Sequence, residues 1–329
     1  MAVAIFGYLF NEYSIQGVYN SLIFMNIPLF ITVLVAYFLG MYILDTFIIS
    51  KILNHFGHKT TLKELLPGRG VTYLIMVINY AAAQAAFALY EHRKHNVPMS
   101  KMFGIFGIIV VIDLMLLATL AFITTFFTSW PYDVFGIGIE SFVRIFTVVG
   151  YSILVLNILF WRGHLGKINF FEKLRKKDFF SVLTQATFKD YAKVILLRLP
   201  VHAYIMCGIY IVFITYRTHV PFINVLSNMP IILFIGAIPI TPGGLGSTNV
   251  AVVEFFKPFI TSEAIRAGKI SAGELLLSFS IMWTLGNYML KAITGFICLK
   301  FVSKDLFKKA SAIDTNTPPT DISHIADNL

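Results

Sequence analysis

The sequence predicts an all-α, polytopic membrane helix bundle that contains two broken or re-entrant segments. Hydrophobic residues make up 57% of the 329 residues, and charged residues make up only 13%. Water-soluble domains rarely have this balance, whereas a bilayer span needs roughly 20 apolar residues in a helix. The chain contains several apolar runs of that length. No sizeable soluble domain is therefore expected.

Five apolar runs are predicted to cross the membrane, and two more are weaker candidates. The predicted spans are residues 24–44, 102–128, 141–161, 221–238 and 274–299. The weaker candidates are residues 71–90 and 194–216, which contain more polar side chains. Residues 1–23 mix apolar residues with a few polar ones, so we predict an interfacial N-terminal segment without a signal peptide. The transmembrane domain is thus expected to cover residues 24–302.

Basic residues are concentrated in the loops and near helix ends, although the formal net charge of +9 could also indicate nucleic acid. The positive-inside rule explains this placement better, so no nucleic-acid partner is expected. Loops 51–70, 91–101 and 162–193 are basic and are predicted to be cytoplasmic, as is the polar tail 303–329, which is expected to be disordered. Loop 162–193 interleaves aromatic and basic residues, which predicts an amphipathic helix on an anionic leaflet.

Two segments are predicted to be re-entrant. Basic loops on both sides of residues 71–90 mean that this segment cannot cross the membrane once, so it is expected to enter and return near 65–90. Two prolines and three glycines interrupt apolar sequence at 238–246, which excludes a straight helix there and predicts a second re-entrant segment near 239–256. A similar Pro-Gly break opens the first segment at 66–70. Two broken segments, one in each half of the chain, are compatible with an inverted repeat, which is one interpretation of this sequence.

The second Pro-Gly segment also carries a family resemblance. The string Ile238-Pro239-Ile240-Thr241-Pro242-Gly243-Gly244-Leu245-Gly246, with Glu254 downstream, resembles the signature of the lysylphosphatidylglycerol synthase transmembrane-region family. That family includes the flippase half of the bacterial multiple-peptide-resistance proteins. The earlier Leu65-Leu66-Pro67-Gly68-Arg69-Gly70, followed by Tyr73-Leu74 and Asn79-Tyr80, is similar to the family's N-terminal region. The resemblance covers about residues 25–302.

The resemblance implies lipid translocation in a bacterial cytoplasmic membrane, with the C-terminus in the cytoplasm. We expect no counterpart of the soluble synthase domain of the two-domain members, because the residues after 302 are too few and too polar to fold as one. We therefore expect a transporter-like protein and no enzyme, cofactor or metal site. The expected partners are membrane lipids with anionic headgroups, with a lipid-modifying enzyme or a second copy of the chain as further candidates.

Substrate-binding residues are expected among the polar side chains of the apolar segments. A phosphate-bearing headgroup needs a polar interior with positive potential, and charges at membrane depth usually face the protein interior. The candidates outside the second Pro-Gly segment are Arg69, Asn79, Gln84, Arg144, Arg198, His202 and Lys291. For Arg144 and Lys291, snorkelling to a membrane boundary is the alternative. For Asp113, an ion pair with Arg198 or Lys291 is as reasonable as ion or proton coupling.

The second Pro-Gly segment adds a different kind of site, because the first N–H groups of the following helix lack intrahelical partners and attract anions. The candidates there are Thr241, Gly243, Gly244, Gly246, Ser247 and Asn249, with Glu254 as a coupling residue. Capping of the helix by one of these side chains is the simpler alternative. Two functions remain open: a transporter or flippase for an anionic, aminoacyl-modified or polyprenyl-phosphate-linked lipid, and an accessory protein that binds lipid or a partner enzyme without moving cargo.

Overall fold

Helices form most of the described residues in the computed structural model. The structure describes residues 2–95, 97–131, 133–134, 136–164, 172–173, 175, 180–237 and 244–313. In chain order the helices are α1 (Ala2–Glu12), α2 (Ile15–Phe24), α3 (Ile27–His55), α4 (Leu62–Met76), α5 (Tyr80–His95), α6 (Met99–Thr124), α7 (Ile139–Trp161), α8 (Ser181–Gln185), α9 (Phe188–Thr215), α10 (Phe222–Ala237), α11 (Ser247–Phe256), α12 (Glu263–Arg266) and α13 (Ala272–Ile313). Two short antiparallel pairs accompany them, β1 (Asp133–Val134) with β2 (Ile137–Gly138) and β3 (Thr218–His219) with β4 (Thr261–Ser262).

Five of the described helices are long and apolar enough to cross a membrane. They are α3, α6, α7, α9 and, over Ala272–Val302, α13. The predicted all-α membrane bundle is confirmed. The weaker candidate at 194–216 belongs to a helix of 28 residues, because the helix begins before the apolar run, at a capping box between Thr187 and Asp190. Most of the aromatic and basic stretch of loop 162–193 on which the amphipathic helix was predicted lies outside the described residues, so this helix stays a prediction.

Helices α4 and α5 form an antiparallel pair, which we call hairpin 1. The chain turns at residues 77–79, and Lys94 Nζ near the end of α5 donates to the carbonyl of Glu64 at the start of α4 (3.4 Å). With 15 and 16 residues, the helices are about 22 to 24 Å long, less than the ~30 Å of hydrocarbon that a span must cross. The segment doubles back as a re-entrant segment does; its depth in a membrane stays a prediction.

The break predicted at residues 66–70 is wrong, because this stretch lies inside α4. Pro67 removes one backbone donor, yet the helix continues through it. The glycines serve close packing instead: a Cβ on Gly68 would lie 2.1 Å from Tyr90 Cε1 of α5, and one on Gly70 would lie 2.3 Å from Cys298 Sγ of α13. The Pro-Gly sequence therefore marks a tight helix crossing and not a turn.

Helices α10 and α11 form a second antiparallel pair, hairpin 2. Asn228 Nδ2 in α10 donates to the carbonyl of Phe255 near the end of α11 (2.8 Å). Residues 238–243, between the two helices, lie outside the described residues. The full span predicted at 221–238 is wrong: α10 has only 16 residues, about 24 Å, and is one arm of a hairpin. Because α11 begins at Ser247, the sequence from 239 to 256 is not one continuous helix.

The order long helix, hairpin, long helix occurs twice, as α3, hairpin 1, α6 and as α9, hairpin 2, α13. The two first helices, α3 and α9, pack against each other. Each hairpin packs against the last helix of both halves, α6 and α13. In hairpin 1, α4 packs against α13 and α5 against α6; in hairpin 2, α10 packs against α6 and α11 against α13. The hairpins enter from opposite ends of the bundle. This arrangement matches the inverted repeat that the sequence left open.

The bundle has two ends that differ in charge. At the end we call the basic end, formed by the described residues of 51–63, 91–95, 97–101, 161–164 and 180–189, His55 Nε2 contacts Asp190 Oδ1 at 2.7 Å. At the opposite end, formed by residues 13–26, 125–131, 133–134, 136–139, 215–222 and 256–274, Asn26 N donates to the carbonyl of Thr215 (2.8 Å). Helices α1 and α2 belong to this opposite end and pack against α11 and α13. Their interfacial position in a membrane stays a prediction.

Candidate functional site

Four charged side chains from four helices meet inside the bundle. Asp45 in α3 accepts hydrogen bonds from Arg69 Nη2 in α4 (2.8 Å) and from Arg198 Nη1 in α9 (2.7 Å). Arg198 also binds Asp113 of α6 in bidentate fashion, through Nε (2.7 Å) and Nη2 (2.8 Å). We call Asp45, Arg69, Asp113 and Arg198 the charge network. It ties hairpin 1, α3 and α6 of the first half to α9 of the second half.

The charge network is balanced, with two arginines and two aspartates. Asp45, Arg69 and Arg198 are 4–6% exposed, and a charge in such a place needs a partner because its desolvation costs several kcal/mol. The bidentate Arg198–Asp113 geometry offers the strongest form of that pairing. Of the alternatives left open for Asp113, the structure therefore shows the ion pair with Arg198. Arg69 and Arg198 were predicted to bind substrate, but in the structure protein carboxylates already neutralise much of their charge.

Two further polar side chains extend the network at its ends. Gln84 Oε1 in α5 accepts a hydrogen bond from Arg69 Nη1 (3.1 Å), which joins both arms of hairpin 1. His202 lies one turn after Arg198 on α9, and its Nε2 is 3.1 Å from Asp113 Oδ1. The guanidinium carbon of Arg69 also lies 5.7 Å and 5.6 Å from the ring centroids of Tyr73 and Phe87. These rings favour the cation on its remaining faces.

Lys291 in α13 differs from the network arginines in its surroundings. Among the described residues, no acceptor lies within hydrogen-bond or ion-pair distance of its Nζ, which lies 5.7 Å from the centroid of the Tyr288 ring. The side chain is half-buried and lies close enough to Arg69 for the two positive charges to repel each other. One turn further along α13, Gly295 allows the backbone of α4 to approach. Lys291 thus places an uncompensated positive charge beside a balanced network.

Two other predicted residues lie apart from the network. Asn79, in the turn of hairpin 1, is exposed, and its Oδ1 accepts from Ala82 N (2.9 Å), as a helix cap does. Arg144 lies near the start of α7 at the opposite end of the bundle. Its Nε and Nη2 donate to the Thr125 hydroxyl and carbonyl, both at 2.9 Å. Arg144 therefore anchors the end of α6 and does not contribute to the interior charge.

The start of α11 in hairpin 2 is covered by protein. Asn249 is 1% exposed, accepts from Gly246 N (2.9 Å) and donates to Ser280 Oγ of α13 (2.9 Å). Ile5 of α1 lies against Gly246, where an added Cβ would be 3.3 Å from its Cγ2. This geometry corresponds to the capping alternative for Asn249 and places the hydrophobic side chain of Ile5 beside the helix start.

The remaining predicted residues of hairpin 2 are distributed around its turn. Gly244 is buried, and the carbonyl of Gly244 accepts from the Ser247 hydroxyl (3.3 Å). Glu254 lies near Tyr13 and Lys257 at the opposite end of the bundle, away from Asp113. Thr241 and Gly243 lie outside the described residues. The structure thus gathers Arg69, Gln84, Asp113, Arg198, His202 and Lys291 in one region and leaves the others elsewhere.

Two buried carboxyl groups were missed in the sequence. Asp45 lies one residue beyond the predicted span 24–44. Had that span been extended to Leu53, Asp45 would have been recognised as an acidic residue at membrane depth. Glu91 lies in α5 at the basic end, outside the five spans; it is fully buried, and its Oε2 lies 2.8 Å from His95 Nδ1. Burial raises the pKa of Glu91 to about 8, so its neutral form can donate this hydrogen bond at neutral pH. Nothing in the local sequence distinguishes Glu91 from a solvated loop residue.

The five apolar helices and the two hairpins define a multi-pass α-helical membrane protein. The chain belongs to the family described as the lysylphosphatidylglycerol synthase TM region, which it matches over residues 1–268. The match includes α1 and α2 and ends before α13, which carries Lys291. No curated protein and no solved structure matches the chain. The family predicted from the Pro-Gly segments is confirmed.

Proposed function

We propose that this protein moves a lipid with an anionic, phosphate-bearing headgroup between the leaflets of a bacterial cytoplasmic membrane, without synthesising that lipid. The observation that carries the proposal is Lys291, a half-buried cation without an acceptor among the described residues. A compact ammonium group is a common phosphate ligand, and a single point charge binds without holding the headgroup permanently. The charge network beside it is already neutralised and serves to position the helices.

The helix arrangement supports the same proposal. Hairpin 1 and α13 cross at glycines, and hairpin 1 also contributes Arg69 to the charge network. A substrate site between a broken segment of one half and a closing helix of the other is typical of transporters built from inverted repeats. The shared chemistry of the candidate substrates is a phosphate ester on a lipid, whether the lipid is a phospholipid, an aminoacyl phospholipid or a polyprenyl phosphate.

Reconstitution into liposomes tests the proposal. Fluorescently labelled phosphatidylglycerol, lysyl-phosphatidylglycerol and polyprenyl phosphate are compared with a labelled glucosyl diacylglycerol, which has no phosphate, and a membrane-impermeant quencher reports which leaflet holds each label. We expect protein-dependent movement of at least one of the three phosphate lipids. Comparison of the three shows whether the substrate is a phospholipid, an aminoacyl phospholipid or a polyprenyl phosphate. Binding of these lipids without any movement would instead support the accessory function.

Substitutions of Lys291 give the sharper test. Lys291→Gln removes the charge and should slow the movement about tenfold or more, which corresponds to ~1.4 kcal/mol of lost headgroup interaction. Lys291→Arg keeps the charge and should retain most of the movement. Lys300→Gln, on the same helix but exposed near its end, is the matched control and should behave as the wild type. Full activity in Lys291→Gln would mean that Lys291 is only a boundary anchor.

A further inference from the structure

His202 has a basic nitrogen that the charge network does not use. The residue is 4% exposed, and its Nε2 lies 3.1 Å from Asp113 Oδ1. Asp113 is an ionised acceptor in its pair with Arg198, so His202 Nε2 must carry the hydrogen and donate it. The other ring nitrogen, Nδ1, then holds a lone pair. It is buried and has no hydrogen-bond partner in the described part of the chain.

The four charges of the charge network, which His202 contacts at Asp113, add up to zero, and Lys291 beyond Arg69 adds one positive charge. Asp113 faces it from α6, Arg198 lies one turn away on its own helix, and Asp45 of α3 lies behind Arg198. Arg69 of α4 completes the set through Asp45. Helix α10, which also packs against α9, has no titratable residue. A proton on His202 would therefore give this buried region one more positive charge.

An excess charge in a low-dielectric interior is costly unless an opposite charge arrives with it. Arg69, at one end of the charge network, lies beside Lys291, and His202 contacts the other end at Asp113. An anionic headgroup at Lys291 would thus make protonation of His202 easier. By thermodynamic reciprocity, a proton on His202 would equally strengthen binding of the anion.

We infer that His202 takes up one proton with each anionic lipid, so that the protein couples lipid movement to a proton gradient. The inference rests on the proposed function. The step forms one N–H bond at Nδ1 and leaves Asp113 ionised beside the imidazolium. Histidine suits this role because it ordinarily exchanges a proton near neutral pH. Proton and lipid then move in the same direction, so the lipid accumulates in the leaflet toward which protons flow.

Proton uptake in liposomes tests the coupling. Vesicles containing the protein, labelled phosphatidylglycerol and an internal pH indicator are given a gradient of one pH unit. With one proton per lipid, that gradient can drive the leaflet ratio of the lipid up to about tenfold. We expect lipid accumulation and an accompanying proton flux in the wild type. His202→Gln keeps a donor to Asp113 but has no basic nitrogen, so it should move lipid without either effect. His219→Gln, exposed in β3, is the matched control.

A second measurement does not depend on any variant. Titration of wild-type protein with soluble short-chain phosphatidylglycerol, in two buffers of different ionisation enthalpy, reports the protons taken up on binding. We expect net uptake near pH 7. No uptake on binding, or lipid movement that ignores the gradient, overturns the coupling while the proposed function stands. Coupled movement in His202→Gln also overturns the inference. Absence of all protein-dependent lipid movement contradicts the proposed function itself.

Discussion

Arg198 and Lys291 both lie within apolar helices, yet their surroundings give them different roles. Arg198 binds two carboxylates, whereas Lys291 has no acceptor among the described residues. Removing one partner of a buried ion pair leaves the other charge uncompensated, which destabilises a protein far more than the pair itself stabilises it. From the sequence, neutral substitution of either residue should affect function alone. The structure changes that expectation for Arg198, whose loss should also weaken the fold.

Asp45 offers the clearest test at this scale, because both network arginines bind it. Asp45→Asn leaves them with one carboxylate between them, so it should lower the free energy of unfolding by about 3–5 kcal/mol. Thermal unfolding of the purified protein in detergent measures the change. The control Asp133→Asn removes an exposed carboxylate of β1 that lies outside the network, so it should leave the unfolding temperature unchanged. An Asp45→Asn protein with the same unfolding temperature as the wild type would show that the network contributes nothing to stability.

The sequence predicted most members of this region but only one of their pairings, that of Asp113 with Arg198, which was one of several alternatives. Arg69, Gln84, Asp113, Arg198, His202 and Lys291 were identifiable because polar residues inside apolar runs are costly. Their partners depend on which helices adjoin, and Asp45 escaped notice since its span was ended one residue early. Arg144 was chosen for the same reason as Arg198, and only the fold shows that it binds Thr125 at a helix end.

At the scale of elements, the basic loops around residues 71–90 predicted hairpin 1, and the prolines and glycines predicted hairpin 2. Of the two helix breaks predicted from proline and glycine, only the one in hairpin 2 is correct. In hairpin 2 the glycines lie where the turn ends, and Gly244 and Gly246 have φ angles of +78° and +98°. In hairpin 1 the same residue types lie inside α4 and allow Tyr90 and Cys298 to approach. Sequence composition cannot separate these two uses of glycine, because one depends on local dihedral angles and the other on a distant neighbour.

Gly244→Val tests whether the turn of hairpin 2 must keep its conformation. A β-branched residue is disfavoured at φ +78°, at a cost of about 1–2 kcal/mol, and its Cβ would also lie 3.2 Å from Thr248 Cγ2. We expect lipid movement in the liposome assay to fall strongly, whereas Ser247→Ala should only weaken it.

Gly57→Val is the matched control for that experiment, since Gly57 has φ +87° but no atom within 4 Å of an added Cβ. It carries the same backbone penalty at a loop of the basic end and should leave lipid movement intact. A correctly inserted Gly244→Val protein with unchanged activity would contradict a role for this turn.

At the scale of the whole molecule, five helices long enough to span and two hairpins predict that α1 and the C-terminal part of α13 lie on opposite sides of the membrane. Each spanning helix would change the side, and each hairpin would return to the side it came from. The basic end carries lysines and arginines at positions 51, 59, 63, 93, 94, 101 and 162, whereas the opposite end combines Arg217, Lys257, Arg266 and Lys269 with the acids Glu12, Asp133, Glu140, Glu254, Glu263 and Glu274. From the positive-inside rule we therefore predict that the basic end and the C-terminal part of α13 face the cytoplasm.

Cysteine labelling in intact cells tests this topology. After Cys207 and Cys298 are replaced by Ser, single cysteines are placed at Lys63 and Lys94, the two ends of hairpin 1, and at Lys257 and Arg266 of the opposite end. An impermeant maleimide added outside should label the latter two and neither of the former, because both arms of hairpin 1 return to the basic end, where Lys94 Nζ approaches the Glu64 carbonyl. Permeabilised cells, in which Lys63 and Lys94 substitutions should also react, show that these positions are accessible. Labelling of only one of these two from outside would mean that hairpin 1 crosses the membrane, and labelling of both would mean that the whole bundle is inserted in the opposite orientation.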